Sequence, residues 1–341
     1  MQLTELKWRI IAFAASLVPF LIIAVSFDVK PEDIFAVGLV NFLAAFAAMM
    51  GKLFLQGIKF YYLIGKFHGK LESFARTIFV RIGSEFVTLT TPMFVGGEVV
   101  RIYWMNKRGM TGARASWIGI FEIVTEVLAA GTLAVIAGVV ALYYGYTIVG
   151  VVVLATTIPI VGLWTGLFFA SGKRTFQVPS SLVGLVVKIR KDGGQQYIDK
   201  TNQWMTDICT MSRENFGSKS AKKAFVVSYA LSLASWVAFG LSFMLISAGT
   251  ESAVSAVESI LAVMAGNSIG NLPITVGGSG LTEFGVWAYL NHLSEFTLEL
   301  PENSVAWNTI IAWRIATYQL PIPIAWFLLM KMALRKYQKV E

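Results

Sequence analysis

Charge is scarce in this chain. Only 14% of its 341 residues are Asp, Glu, Lys or Arg, where soluble domains carry about 25%. A chain so poor in charge cannot cover a water-facing surface. This excludes a soluble globular enzyme and a disordered chain. Cysteine is almost absent: Cys209 stands alone, which excludes internal disulfides and any cysteine-based metal cluster. The two histidines, His68 and His292, are too far apart in sequence to form a ligand pair of metal-binding spacing. No nucleotide-binding loop, kinase signature or soluble catalytic domain fits the polar segments.

What the chain has is apolar surface. Hydrophobic residues make up 56% and the mean hydropathy is +0.65. A helix needs about 20 mostly apolar residues to cross a bilayer. Six segments meet that length: 9–27, 34–58, 115–144, 147–170, 223–248 and 305–332. No small-residue cleavage site follows the first run, so it reads as a retained span and not as a leader. Pro321 and Pro323 remove backbone donors and predict a kink in the last span. The expected fold class is an all-α polytopic membrane protein.

The net charge of +8 reads as cytoplasmic loops and not as a nucleic-acid surface. With the N-terminus inside, one face receives Lys59, Lys66, Lys70 and Arg76 in loop 59–76, and Lys107, Arg108 and Arg114 in turn 107–114. The same face receives ten basic residues in the connector 171–223, and Lys331, Arg335, Lys336 and Lys339 in the tail. The opposite loops hold Lys30 but also Glu251, Glu258, Glu295, Glu299 and Glu302. The positive-inside rule then puts both termini in the cytoplasm, in a multi-pass protein of the cell membrane. Within the connector, Tyr197, Ile198, Thr201, Trp204, Met205 and Ile208 recur at three-to-four spacing. That pattern fits a helix lying on the inner leaflet and equally a short helix packed under the bundle.

Two further apolar stretches, 76–107 and 254–292, are interrupted. One contains Thr91-Pro92-Met93-Phe94-Val95-Gly96-Gly97-Glu98, the other Leu272-Pro273-Ile274-Thr275-Val276-Gly277-Gly278-Ser279. Both carry Pro-x-x-Val-Gly-Gly, with an Ile-Gly pair upstream (Ile82-Gly83 and Ile269-Gly270). Proline stops a helix and Gly-Gly permits a tight turn. Each stretch therefore reads as helix, break, helix, returning to the face it started from. A kink in an ordinary membrane helix explains one such break; two at matching places favour a duplication. The halves are 1–145, with hairpin 76–107, and 146–341, with hairpin 254–292 and the amphipathic connector 171–222. Three crossings separate the hairpins, so they enter from opposite faces. That is the inverted-repeat plan of many transporters, whose sites lie where broken helices meet.

Ionisable residues lie in or beside these stretches, where a lone charge costs about 2.5–3.5 kcal/mol on insertion scales. They are Arg81 and Glu85, Glu98 and Arg101, Glu122 and Glu126 one helical turn apart, Glu283, and Arg314. They are expected to face inward and pair, with Asn267, Asn271, Thr275 and Gln319 as hydrogen-bond partners. Arginine's planar fork matches phosphate. Helices starting near Gly97 and Ser279 offer free N–H groups to an anion. The candidate substrate site is Arg101, Arg314, Glu98, Glu122, Glu126, Glu283, Arg81, Gly96, Gly97, Gly277, Gly278, Asn271 and Thr275, with no catalytic residue, metal or cofactor. Its expected ligand is a phospholipid or polyprenyl-phosphate-type lipid.

At these residues the chain resembles the flippase-like membrane domain, also called the lysylphosphatidylglycerol synthase transmembrane-region family. The resemblance rests on Thr91-Pro92, Gly96-Gly97-Glu98, Arg101, Glu122 and Glu126. In the second half it rests on Leu272-Pro273, Gly277-Gly278, Gly280, Glu283 and Arg314. It spans nearly the whole chain and implies lipid translocation between leaflets without ATP hydrolysis. Val276 stands where the family often has a proline before Gly-Gly, which changes loop stiffness. These 341 residues leave no room for the soluble domain that attaches the amino acid in the bacterial enzymes, so lipid aminoacylation is not carried over. Two other readings stay open: a membrane enzyme acting on a lipid phosphate, and a non-catalytic subunit of a membrane complex. Self-association is compatible with all three.

Overall fold

The structure, a computed structural model, describes residues 35–92, 96–189, 194–215, 217–250, 253–293 and 307–334, with Glu32 and Phe94. The expected span 9–27 lies outside the described residues, as do the tail beyond Leu334 and most of the loop 291–303.

Among the described residues five helical segments are long and apolar enough to cross a membrane. They are α1 (Leu39–Phe67), α4 (Gly112–Tyr143), α5 (Thr147–Ser171), α8 (Lys219–Ser247) and the broken segment Trp307–Met332. Between them lie α2 (Phe74–Leu89) and α3 (Gly97–Asn106), the connector helices α6 (Ser180–Ile189) and α7 (Gly194–Asn215), and α9 (Ala256–Gly270) and α10 (Leu281–Leu290). The chain is an all-α polytopic membrane protein. Outward faces carry Phe35, Val40, Leu43, Ile158, Leu163 and Phe169 in the open, a surface suited to lipid and not to water.

Serine and threonine set several starts. Thr111 accepts from Arg114 N–H, Ser218 from Ala221 N–H and Ser255 from Glu258 N–H, which satisfies donors that a helix start leaves open. Glycine sets the close approaches, as is common between membrane helices. Gly138 of α4 meets Leu154 of α5, where an added Cβ would lie 2.8 Å from Leu154 Cγ. Gly266 of α9 faces Gly285 of α10, where a Cβ on either would come within 2.7 Å of the other helix's backbone.

Two differences from the sequence reading concern span ends. The second span runs to Phe67 and not to residue 58. Lys59, expected in a cytoplasmic loop, is instead fully buried in α1. A carboxylate and a hydroxyl meet its ammonium, as shown below, so its charge does not end the helix. The last span is interrupted as expected, by a π-helical turn, Ile315–Gln319, between α11 (Trp307–Arg314) and α12 (Pro321–Leu334). Pro321 and Pro323 cannot donate to the carbonyls of Thr317 and Gln319, and Leu320 N–H reaches back to Ile315 instead, at 3.0 Å.

The connector helix α7 buries Ile198, Ile208, Cys209 and Ser212 while Tyr197 and Trp204 stay exposed. A Ser171–Ser212 hydroxyl contact of 2.8 Å ties it to the end of α5. The helix packs against α5 through this contact, with two aromatic side chains left facing outward.

Contacts at the two ends of α4 orient everything else. At its start, the rings of Phe67, Trp117, Phe121, Phe168 and Phe225 gather the ends of α1 and α5 and the start of α8. Arg108, just after α3, lies 3.2 Å from Glu72, just before α2, and Arg76 lies 3.0 Å from the same carboxylate. Burial pushes the Glu72 carboxyl up, but hydrogen bonds from Arg76, Arg108 and Ser73 N–H together hold it below the usual carboxylate range. The α2–α3 pair thus returns to the level at which it began. At the far end of α4, Tyr146 stacks on His292 with centroids 4.3 Å apart. His292, just after α10, lies 3.9 Å from Glu258 in the first turn of α9. The α9–α10 pair also returns to its start, at the opposite end of α4. The described linkers there, 144–146, 248–250, 253–255 and 291–293, hold no Lys or Arg.

Overpacking a glycine contact costs about 1–3 kcal/mol. Gly266→Ala is therefore expected to lower the unfolding free energy in detergent by about that amount. Gly162→Ala, which meets nothing within 4 Å, is expected to leave it unchanged or slightly raised. Equal stability of the two variants would contradict the observed α9–α10 packing.

Candidate functional site

The two breaks touch. The first spans Thr90–Gly96 and the second Asn271–Gly280. Pro92 and Val276 form an antiparallel bridge, and Gly277 N–H donates to Thr91 O at 3.3 Å. Tyr318, in the π turn, donates to Leu89 O at 2.8 Å. The irregular backbone of one break is thus satisfied by the other break and by the last span, as groups remote from water require. Gly277 and Gly278 take φ of +56° and +64°, and a Cβ at Gly277 would sit 2.6 Å from Leu89 O. Only glycine suits that position. Gly97 is needed for a different reason: a Cβ there would lie 2.9 Å from Ser84 O.

Each break is closed by a carboxylate reaching back to a glycine. Glu98 accepts from Gly96 N–H at 2.7 Å and Glu283 from Gly280 N–H at 2.9 Å. Glu98 therefore holds its own turn, and among the described residues it makes no ion pair with an arginine.

The remaining charges sort into pairs. Glu122 on α4, fully buried, bridges two arginines, with Arg81 at 2.9 Å and Arg101 at 3.0 Å. Arg81 also pairs with Glu85 one turn along α2 and donates to Gln56 at 2.9 Å. Arg101 donates to Ser84 Oγ at 2.9 Å. Glu126 takes Lys59 at 2.9 Å and Gln56 at 2.6 Å, with Arg81 at 3.5 Å. Lys59 further donates to Ser232 Oγ at 2.9 Å. On the other side of the bridge, Arg314 pairs with Glu283 at 2.9 Å and donates to Gly277 O at 2.6 Å. Its guanidinium lies 4.1 Å from the centre of the Tyr318 ring.

The ion pairs that follow the two breaks have their charges exchanged. The short helix after the first break offers Arg101 to Glu122 on the next long helix; the one after the second offers Glu283 to Arg314 on the next span. Among the described residues no hydrogen bond reaches Nη2 of Arg101 or Nη1 of Arg314, and the buried Arg101 Nε faces Glu122 as an ion pair without one. Around the second break, Thr275, Ser279 and Thr282 hydroxyls and both amide atoms of Gln319 are buried without a hydrogen-bond partner. Asn271 caps α9 through its backbone N–H. Among the described residues no group of three or more His, Cys, Asp or Glu side chains is placed to hold a metal ion.

Sequence reasoning missed Lys52 and Gln56 and placed Lys59 in a loop. They recur at four- and three-residue steps, and so share one face of α1. All are buried. Lys52 and Gln56 lie in a run read as mostly apolar, and the spacing of the stripe was the signal available.

The fold and this paired charge cluster define a membrane-embedded protein built on two interlocked broken helices. The chain belongs to the lysylphosphatidylglycerol synthase TM-region family, whose family model matches residues 9–325. No curated protein matches it.

Removing one partner of a buried ion pair costs about 3–5 kcal/mol, and replacing both by apolar groups costs far less. Glu283→Leu is expected to destabilise the protein in detergent by about that amount, and adding Arg314→Leu to recover at least half of it. Additive losses in the double variant would contradict a coupled pair.

Proposed function

We propose that the protein moves a phospholipid or lipid-linked phosphate between the leaflets of the cell membrane, as a flippase or scramblase, with both termini in the cytoplasm. In this reading α2–α3 and α9–α10 are re-entrant hairpins of an inverted repeat. They enter from opposite faces because their open ends lie at opposite ends of α4, and their tips meet near the bilayer midplane. The short arms α3 and α10, 10 residues each, reach about 15 Å at 1.5 Å per residue, half of a typical hydrocarbon core.

One observation carries the reading: the contact between the two breaks, with Arg101 and Arg314 near it and unpartnered hydroxyl and amide groups around the second break. Free guanidinium nitrogens and unsatisfied donors suit a phosphate head group. Apolar outer faces suit acyl or prenyl tails. Glu122, Glu126 and Glu283 position the arginines. Gly96, Gly97, Gly277 and Gly278 let the backbone approach the head group, with Arg81, Glu98, Asn271 and Thr275 as the surrounding polar shell. Transport then follows from exposing this site to each leaflet in turn. A cleft of about 550 Å³ beside Tyr62, Lys66 and Lys70, at the end of α1, lies away from this site.

Fluorescent phospholipids in liposomes test the proposal. The Arg101→Ala, Arg314→Ala double variant is expected to flip lipid slower by about tenfold or more, the loss for a charge-assisted hydrogen bond to phosphate. Rates equal to those of the intact protein would overturn the assignment.

A further inference from the structure

The paired network is charge-balanced: Lys59, Arg81, Arg101 and Arg314 face Glu85, Glu122, Glu126 and Glu283. Among the described residues Lys52 is a buried cation outside these pairs. Its residue is 9% exposed, so it is nearly as buried as the paired groups. Among the described residues it has neither an ion pair nor a hydrogen bond. Its ammonium instead lies 4.0 Å from the Trp236 ring centre and 4.2 Å from the Phe239 ring centre on α8. Its electrostatic neighbours are Glu85 and Glu126, which attract it, and Arg81 and Arg314, which repel it. It lies one turn from Gln56 and two from Lys59 on α1.

Aromatic faces stabilise a cation less than a carboxylate does. Burying an ammonium with no counter-charge is costly unless something else supplies the charge. An intramembrane ionisable residue without a partner marks a functional position. Every carboxylate in the network is already committed to another cation.

We propose that Lys52 is an anion-binding residue of the site, and that its missing counter-charge is a ligand phosphate. This rests on the transport reading and narrows its substrate class. A ligand that neutralises Lys52 brings net negative charge, so an anionic phospholipid head group is preferred over a zwitterionic one of equal chain length. Trp236 and Phe239 hold the ammonium in place by packing against it from one side. The phosphate approaches from the other.

The probes are phosphatidylglycerol, phosphatidylcholine with the same acyl chains, and inorganic phosphate. Each is added to the purified full chain in detergent, with affinity read from the thermal shift. Phosphatidylglycerol is expected to stabilise the intact protein most, and inorganic phosphate not at all. Lys52→Met should bind phosphatidylglycerol more weakly by about tenfold or more, the equivalent of one charge-assisted hydrogen bond. Lys52→Arg should keep the preference. Without lipid, Lys52→Met should melt no lower than the intact protein, because it removes an unpaired charge; a purely structural lysine would lower it.

Native mass spectrometry on the intact protein needs no variant, and equal retention of phosphatidylglycerol and phosphatidylcholine would overturn the proposal. So would unchanged phosphatidylglycerol affinity in Lys52→Met, or equal stabilisation by inorganic phosphate. If Lys52-dependent binding is found while the intact protein flips no lipid in liposomes, the anion site stands and the transport reading falls.

Discussion

Backbone groups away from water must find partners within the protein, and here two interrupted helices find them in each other. The Thr91 carbonyl and the Gly277 N–H close the contact. Tyr318 takes the last carbonyl of α2, and Glu98 and Glu283 take glycine N–H groups at the far sides of the two turns. Without this mutual satisfaction the buried backbone groups of each break would carry the cost of unmade hydrogen bonds. The glycines, the π turn and the pairing of each short helix with the next long one all serve to bring the two turns into register.

Electrostatics then reinforces the geometry. Glu122 links α2, α3 and α4 through Arg81 and Arg101. Arg314 links the last span to α10 through Glu283 and to the second break through the Gly277 carbonyl. Buried ion pairs are weak evidence of stability in themselves, since desolvation offsets much of their attraction. Their value here is positional. They fix which helices meet at the breaks, and among the described residues they leave the buried ammonium of Lys52 outside the pairs.

Much of this was legible in the amino-acid order. Pro-x-x-Val-Gly-Gly appears twice, and a proline followed within one turn by a glycine pair has few structural meanings inside an apolar run. Five of the expected spans correspond to described helical segments, because twenty apolar residues have one stable form in a bilayer. The expected role of Arg101, Glu122, Glu283 and Arg314 as inward-facing charges followed from the cost of placing them anywhere else. The partners did not follow. Arg81 and Glu122 are 41 residues apart, and nothing local in sequence says that they touch. Lys59 was misplaced because a lysine after an apolar run reads as a loop until Glu126 and Ser232 are seen beside it. Lys52 was overlooked because one charge among apolar neighbours looks like noise when its aromatic platform lies on a helix nearly two hundred residues later.

The meeting of the two turns is open to direct measurement. Bridged residues of antiparallel segments have Cα atoms about 4.5–5.5 Å apart, within the range a disulfide spans. Pro92→Cys and Val276→Cys, introduced with Cys209→Ser and oxidised in intact membranes, are expected to cross-link in high yield within one chain. Pairing either cysteine with one at position 162, on the outward face of α5, should give no product. Absence of the 92–276 cross-link in protein that remains folded would contradict the interlocked breaks.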